Sequence, residues 1–126
     1  MDAADVADWL ERYVAAWKSY DPQEIGALFA QDARYRVRPW DDDAEAVRGR
    51  AAIVADWLES PDEPGSFEAA YRPWAIDDDR AVAVGTTRYL ATDDAPETEF
   101  HNVFLLRFDD DGRCVELTDV SMRGPA

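Results

Sequence analysis

Cysteine, histidine and lysine each occur once in this chain, as Cys114, His101 and Lys18. One cysteine cannot close an intrachain disulfide, and one cysteine with one histidine cannot assemble a zinc constellation. Basic residues are scarce overall, 13 against 28 acidic ones for a formal charge of -15. A surface of that sign repels phosphate backbones and anionic headgroups, so neither nucleic acid nor a membrane is an expected partner. Long apolar runs are missing too. The start, MDAADVADWLERYV, is acidic and amphipathic, without the basic opening and continuous apolar stretch of a signal peptide, and no segment has the length to span a bilayer. A cytoplasmic protein is the expectation.

What is present suits one core: 126 residues, 47% hydrophobic and 12% aromatic, read as a single domain over 1–126. Val6, Leu10, Tyr13, Val14 and Trp17 recur at three- and four-residue spacing and predict an amphipathic helix from Val6 to Tyr20. Asp21-Pro22 with Glu24 behind it reads as a helix cap, opening a short second helix through Ile25, Leu28 and Phe29. ARYRVRPW, residues 33 to 40, alternates as a strand, and DDDAEAV is a polar loop before Gly49 and a third helix, RAAIVADWLES.

Pro61, Pro64 and Gly65 stop that helix, and the remainder reads as β-structure. SFEAAYRPWAI, AVAVGTTRYLAT and TEFHNVFLLRF are separated by acidic turns, and the DDDG turn at 109 to 112 joins the third of them to a final strand as a hairpin. The aspartate triplets lack the spaced ligands and closing glutamate of a calcium loop and read as solvated turns. Three helices ahead of consecutive antiparallel strands predict an α+β fold with helices over one face of a curved sheet. TEFHNVFLLRF is apolar on both faces, Phe104, Leu106 and Phe108 on one and Val103 and Leu105 on the other, which predicts a homodimer through the sheet's outer face.

The last strand contains the stretch VELTDVS, in which Val115, Leu117 and Asp119 share a face. A carboxylate on an apolar face is costly unless paired, protonated or wet. Parity gathers further polar groups: Asn102 lies with Phe104 and Leu106, and Arg88 with Val82 and Val84. His101 falls on the parity opposite Asn102, on the outer face, and Cys114 reads as a small buried hydrophobe. Arg34, Arg36 and Arg38 alternate on the first strand, either balancing the acidic surface or forming a site for an anionic tail.

The segments ERYVAAWKSYDPQEIGALFAQDARY, RGRAAIVADWL and LLRFDDDGRCVEL resemble the nuclear transport factor 2-like (NTF2-like) superfamily, in its SnoaL-like and ketosteroid-isomerase-like branch, from Trp9 to about Met122. The resemblance implies a cone of three N-terminal helices packed on a strongly curved antiparallel sheet, with a pocket between them. It puts Tyr13 at the tyrosine that, in ketosteroid isomerases, donates to the developing enolate oxygen. The isomerase base falls on Val37 or Arg38, their second aspartate on Phe104 and a supporting tyrosine on Trp57, so that mechanism is not expected. Similarity to limonene-type epoxide hydrolases implies a final-strand acid at Asp119, while their arginine and second aspartate fall on Thr86 and Arg88.

The expected site therefore has Tyr13, Trp17, Tyr35 and Trp57 as walls, with Arg88, Asn102 and Asp119 as converging polar groups and no metal or cofactor. Asp119 is either half of a buried ion pair with Arg88 or a general base facing Tyr13 or Asn102 as the acid or oxyanion donor. Two functions stay open on these residues. One is binding of a small, mainly apolar molecule with cofactor-free acid/base chemistry of isomerase, cyclase or hydrolase type, and the other is a non-catalytic binding or dimerisation module.

Overall fold

Helix α1, Ala3–Ser19, begins in a reciprocal cap: the Asp2 side chain accepts from the Asp5 backbone N–H, and the Asp5 side chain accepts from that of Asp2. Val6, Leu10 and Tyr13 of the predicted face are buried, but Val14 and Trp17 are only partly so, and Trp9 and Ala16 complete the buried stripe in their place. Tyr20 closes the helix in the left-handed region at φ 51°. This computed structural model describes residues 1–42 and 44–125; Asp43 of the predicted polar loop and Ala126 of the predicted domain lie outside the described residues.

Helix α2, Pro22–Ala27, starts on the predicted cap, with the Asp21 carboxylate accepting from Gln23 N–H at 2.8 Å. It stops earlier than the sequence pattern suggests, and Phe29 belongs to strand β1, Phe29–Arg36. The Leu28 carbonyl accepts from the Trp9 indole at 3.0 Å and from Cys114 N–H at 2.9 Å. Those partners take the place of the next helical turn and hand the chain to the sheet. A two-residue strand, β2 (Val47–Arg48), follows, then helix α3, Arg50–Glu59. Gly49 makes that entry at φ 91°, its N–H bonded to Ala33 O at 2.7 Å, a backbone conformation that side chains resist. The loop predicted over 41–47 thus gives up Val47 to β2.

Strands β3 (Phe67–Asp77), β4 (Arg80–Tyr89), β5 (Thr98–Phe108) and β6 (Cys114–Arg123) complete one open sheet in the order β2-β1-β6-β5-β4-β3. The sheet is mixed rather than purely antiparallel, because β1 lies parallel to β6, with Tyr35 opposite Leu117. The other pairings are antiparallel, and Gly112 turns the β5–β6 hairpin at φ 79° as its sequence predicts. No helix among the described residues is long and apolar enough to cross a membrane.

Register decides which residues meet the helices. On β4 the buried positions are Ala81, Ala83 and Thr87; on β5 they are Asn102, Phe104, Leu106 and Phe108; on β6 Leu117 is buried. Phe104 pairs with Ala83 on one side and with Asp119 on the other, so Asp119 belongs to this inner face. Toward the α1 N-terminus the space between helices and sheet is filled by Trp9, whose ring meets Phe29 and Phe108 edge-on at 6.1 and 5.5 Å. Val103, Leu105 and Met122 stay exposed on the outer face.

Candidate functional site

Beyond the packed end, helices and sheet separate around a cavity of about 360 Å³. Every tyrosine of the chain lines it: Tyr13, Tyr20, Tyr35, Tyr71 and Tyr89. The expected walls Trp17 and Trp57 line it as well, so all four predicted wall residues meet at one site. Tyr13 and Trp57 stand at 82° with ring centroids 5.1 Å apart, and Tyr13 and Tyr71 at 78° and 6.2 Å. The walls therefore meet edge to face, which leaves a box instead of a closed stack.

Asp119 reaches this box from β6, and Asn102 from its neighbour β5. Asn102 Nδ2 donates to Asp119 Oδ1 at 3.0 Å, while Asn102 Oδ1 accepts from Thr87 Oγ1 at 3.0 Å. The Thr87 hydroxyl, having spent its hydrogen on Asn102, accepts from the Tyr71 hydroxyl. This relay runs across four strands and fixes the carboxamide with its NH2 group toward the carboxylate. Asn102 is the one hydrogen-bond partner of Asp119 among the described residues. Burial raises the Asp119 pKa from the ordinary carboxylate value, and the Asn102 hydrogen bond only partly opposes it.

Across the cavity the Tyr13 and Tyr35 hydroxyls lie 2.9 Å apart. Either one can donate to the other, and in both arrangements one hydroxyl hydrogen remains for a ligand. Burial pushes both phenols well above their usual pKa, with the Asp119 charge adding to the effect, so both are neutral donors. Tyr89 is pushed up to about 12, again chiefly by burial. At the mouth the Trp17 indole donates to Asp62 Oδ2 at 3.0 Å and to Tyr20 OH at 3.1 Å, tying the end of α1 to the loop after α3.

Arg88 is not in the site. It lies on the outer face, hydrogen-bonded to Glu68 and 3.8 Å from Glu97, so the expected ion pair with Asp119 does not form. The sequence reading of its parity with Val82 and Val84 is right, but the face is the other one. On β4 the small Ala81 and Ala83 turn inward because Leu106 and Phe104, directly opposite on β5, fill the core. Thr87 and Tyr89 enter the site in place of Arg88, and alternation along β4 is the signal that points to them. Tyr20, Tyr71 and Asp56, also absent from the expected set, complete the lining with Val37, Ser60, Phe100 and Ser121.

His101 sits on the outer face 3.4 Å from Glu99, and Cys114 is fully buried, its thiol pKa raised by that burial. Val37, one of the two residues at the isomerase base position, gives the cavity an apolar side chain. Among the described residues no cluster of three or more metal-ligating side chains has the geometry to hold a metal ion.

A family model described as SnoaL-like domain matches residues 10–117. No curated protein matches the sequence. Among solved structures, a putative ketosteroid isomerase from Kribbella flavida is similar at 20% identity, over 99% of this chain and 83% of that one, with a TM-score of 0.68. NTF2-like proteins of unknown function from Burkholderia xenovorans and Cytophaga hutchinsonii are similar at 17% and 15% identity, with TM-scores of 0.71 and 0.67. The first alignment covers 98% of this chain and 87% of the other, and the second 92% and 98%. At these identities the likeness establishes the NTF2-like, α+β fold and no activity.

Proposed function

This chain belongs to the SnoaL-like domain family, and on that premise we propose that it binds a small, mainly apolar molecule in the aromatic cavity and acts on it by acid/base chemistry at Asp119. The observation that carries the reading is a carboxylate facing that cavity with a single amide partner. A half-buried carboxylate that serves the fold alone is ordinarily met by a cation or several donors, whereas Asp119 has one amide among the described residues.

The chemistry follows from the two sides of the box. Asp119, its basicity raised by burial, accepts a proton from a ligand carbon or oxygen or from a water. The spare hydrogen of the Tyr13–Tyr35 pair donates to a ligand oxygen on which negative charge develops. Both phenols stay protonated throughout, so they stabilise charge without transferring a proton. No step calls for a metal or an organic cofactor.

A second property is proposed from a separate observation. Val103 and Leu105 are 37% and 45% exposed on the outer face, a large apolar area for a strand centre. We propose that a second copy of the chain covers it. Val103→Asp combined with Leu105→Asp then shifts the protein to a monomer in size-exclusion chromatography; a wild-type protein that already elutes as a monomer removes the proposal.

The test of the catalytic reading is a panel of ketones, lactones and epoxides, followed by turnover and by NMR of the Trp57 indole. A substrate from the panel is expected to shift that resonance, and Asp119→Asn to lower turnover by at least about 100-fold with the fold intact. Undiminished turnover by the variant would refute Asp119 as the base.

A further inference from the structure

With Arg88 on the outer face, the cavity lacks the cation that the sequence placed beside Asp119. Its charged lining residues are two carboxylates, Asp119 half-buried and Asp56 exposed, and no arginine, lysine or histidine is among the described lining residues. Asp119 Oδ1 is engaged by Asn102, and Oδ2 has no hydrogen-bond partner among the described residues. A carboxylate in this position is stabilised most by a positive charge brought in from outside.

The walls point to the same chemistry. Eight of the lining residues are aromatic, the five tyrosines with Trp17, Trp57 and Phe100. Ring faces carry negative electrostatic potential, and a cation that reaches the face of one of these rings is attracted to it. The net charge of -15 extends this field beyond the mouth. An anionic guest is opposed by both carboxylates, the rings and the overall charge. A neutral guest fits the apolar walls but leaves Asp119 unneutralised.

Resting on the reading of this cavity as a ligand site, we propose that its occupant is a small organic cation: a protonated amine on a mainly apolar body. The ammonium N–H groups meet Asp119 Oδ2, and the apolar body lies among Trp57, Tyr71 and Tyr89. A hydroxyl or carbonyl on the same molecule meets the spare hydrogen of the Tyr13–Tyr35 pair. Asp56 contributes attraction at the mouth, weakened by salt because it is exposed.

Three probes of similar size and different charge separate the possibilities: 2-phenylethylamine, 2-phenylethanol and phenylacetate, each titrated at neutral pH against the Trp57 indole and Asp119 carboxyl resonances. The amine is expected to bind at least about tenfold tighter than the alcohol, and phenylacetate to leave both resonances unmoved. Asp119→Asn should lower the amine's affinity about tenfold and leave the alcohol's unchanged; Asp56→Asn, at an exposed position that does not endanger folding, should lower it about twofold at low salt. An alcohol that binds as tightly as the amine overturns the cationic assignment while leaving the cavity a ligand site. Three probes that all leave the cavity resonances unmoved overturn both, and an amine that perturbs only the separate acidic hollow lined by Asp8 of α1 with Asp79 and Asp110 overturns the assignment as well.

Discussion

The two faces of the sheet handle charge in opposite ways. On the outer face cations pair with carboxylates: Arg88 with Glu68 and Glu97, and Arg107 with Glu116 at 3.3 Å. On the inner face Asp119 has an amide partner and, among the described residues, no cation. The exposed pairs are solvated and add little, whereas the inner carboxylate is a standing cost to the fold. Stability alone therefore accounts for neither, and the inner face is where a ligand has something to gain.

The sharpest way to break this contrast is steric. A Cβ on Gly85 would come within 2.1 Å of the Ala70 carbonyl and 2.7 Å of Tyr71 Cα, both backbone atoms that cannot swing aside. Gly85→Ala should cost about 3 kcal/mol in urea unfolding and disturb the cavity through Tyr71, while Thr86→Ala, the next residue and on the outer face, should cost under about 0.5 kcal/mol. Next comes the relay. Asn102→Ala strips Asp119 of its hydrogen bond and Thr87 of its acceptor, and should cost about 2 kcal/mol while moving the Asp119 titration further up.

Removing the inner charge should do the reverse to stability. Because burial raises the Asp119 pKa, the folded chain holds a proton there at pH values where the unfolded chain has released it. The stability this group supplies is present below the unfolded pKa and is lost as pH rises through the folded one. Asp119→Asn should thus melt at or above the wild-type temperature at neutral pH, and that difference should vanish on acidification toward the ordinary carboxylate range. The smallest effect belongs to the outer face: Arg88→Ala should leave the melting temperature unchanged within error and ligand affinity untouched.

Much of this arrangement is legible in the sequence, and the misses have definite causes. The centre of the α1 face at Val6, Leu10 and Tyr13, the Asp21-Pro22 cap and the DDDG hairpin follow from local chemistry, and the structure carries them. Asp119 turns inward as alternation with Leu117 requires, and it meets Tyr13, Trp17, Tyr35, Trp57 and Asn102 at one cavity. The face of β4 is different. Its two parities offer Ala81 and Ala83 against Val82 and Val84, and size alone favours the valines as core. The aromatic and leucine side chains of β5 reverse that choice, and no residue of β4 announces it. The parallel contact of β1 with β6 is likewise a property of distant segments, as is the convergence of Tyr71 and Tyr89 on the cavity.

The most direct measurement is the pH titration of the Asp119 carboxyl carbon by NMR in the free protein. A half-buried carboxylate with no counter-cation titrates with a midpoint above the ordinary aspartate value of about 4 and is drawn back down when a cationic ligand is added. A midpoint at or below that value in the free protein would mean that the Asp119 anion is already stabilised without a ligand, and would contradict the contrast between the two faces.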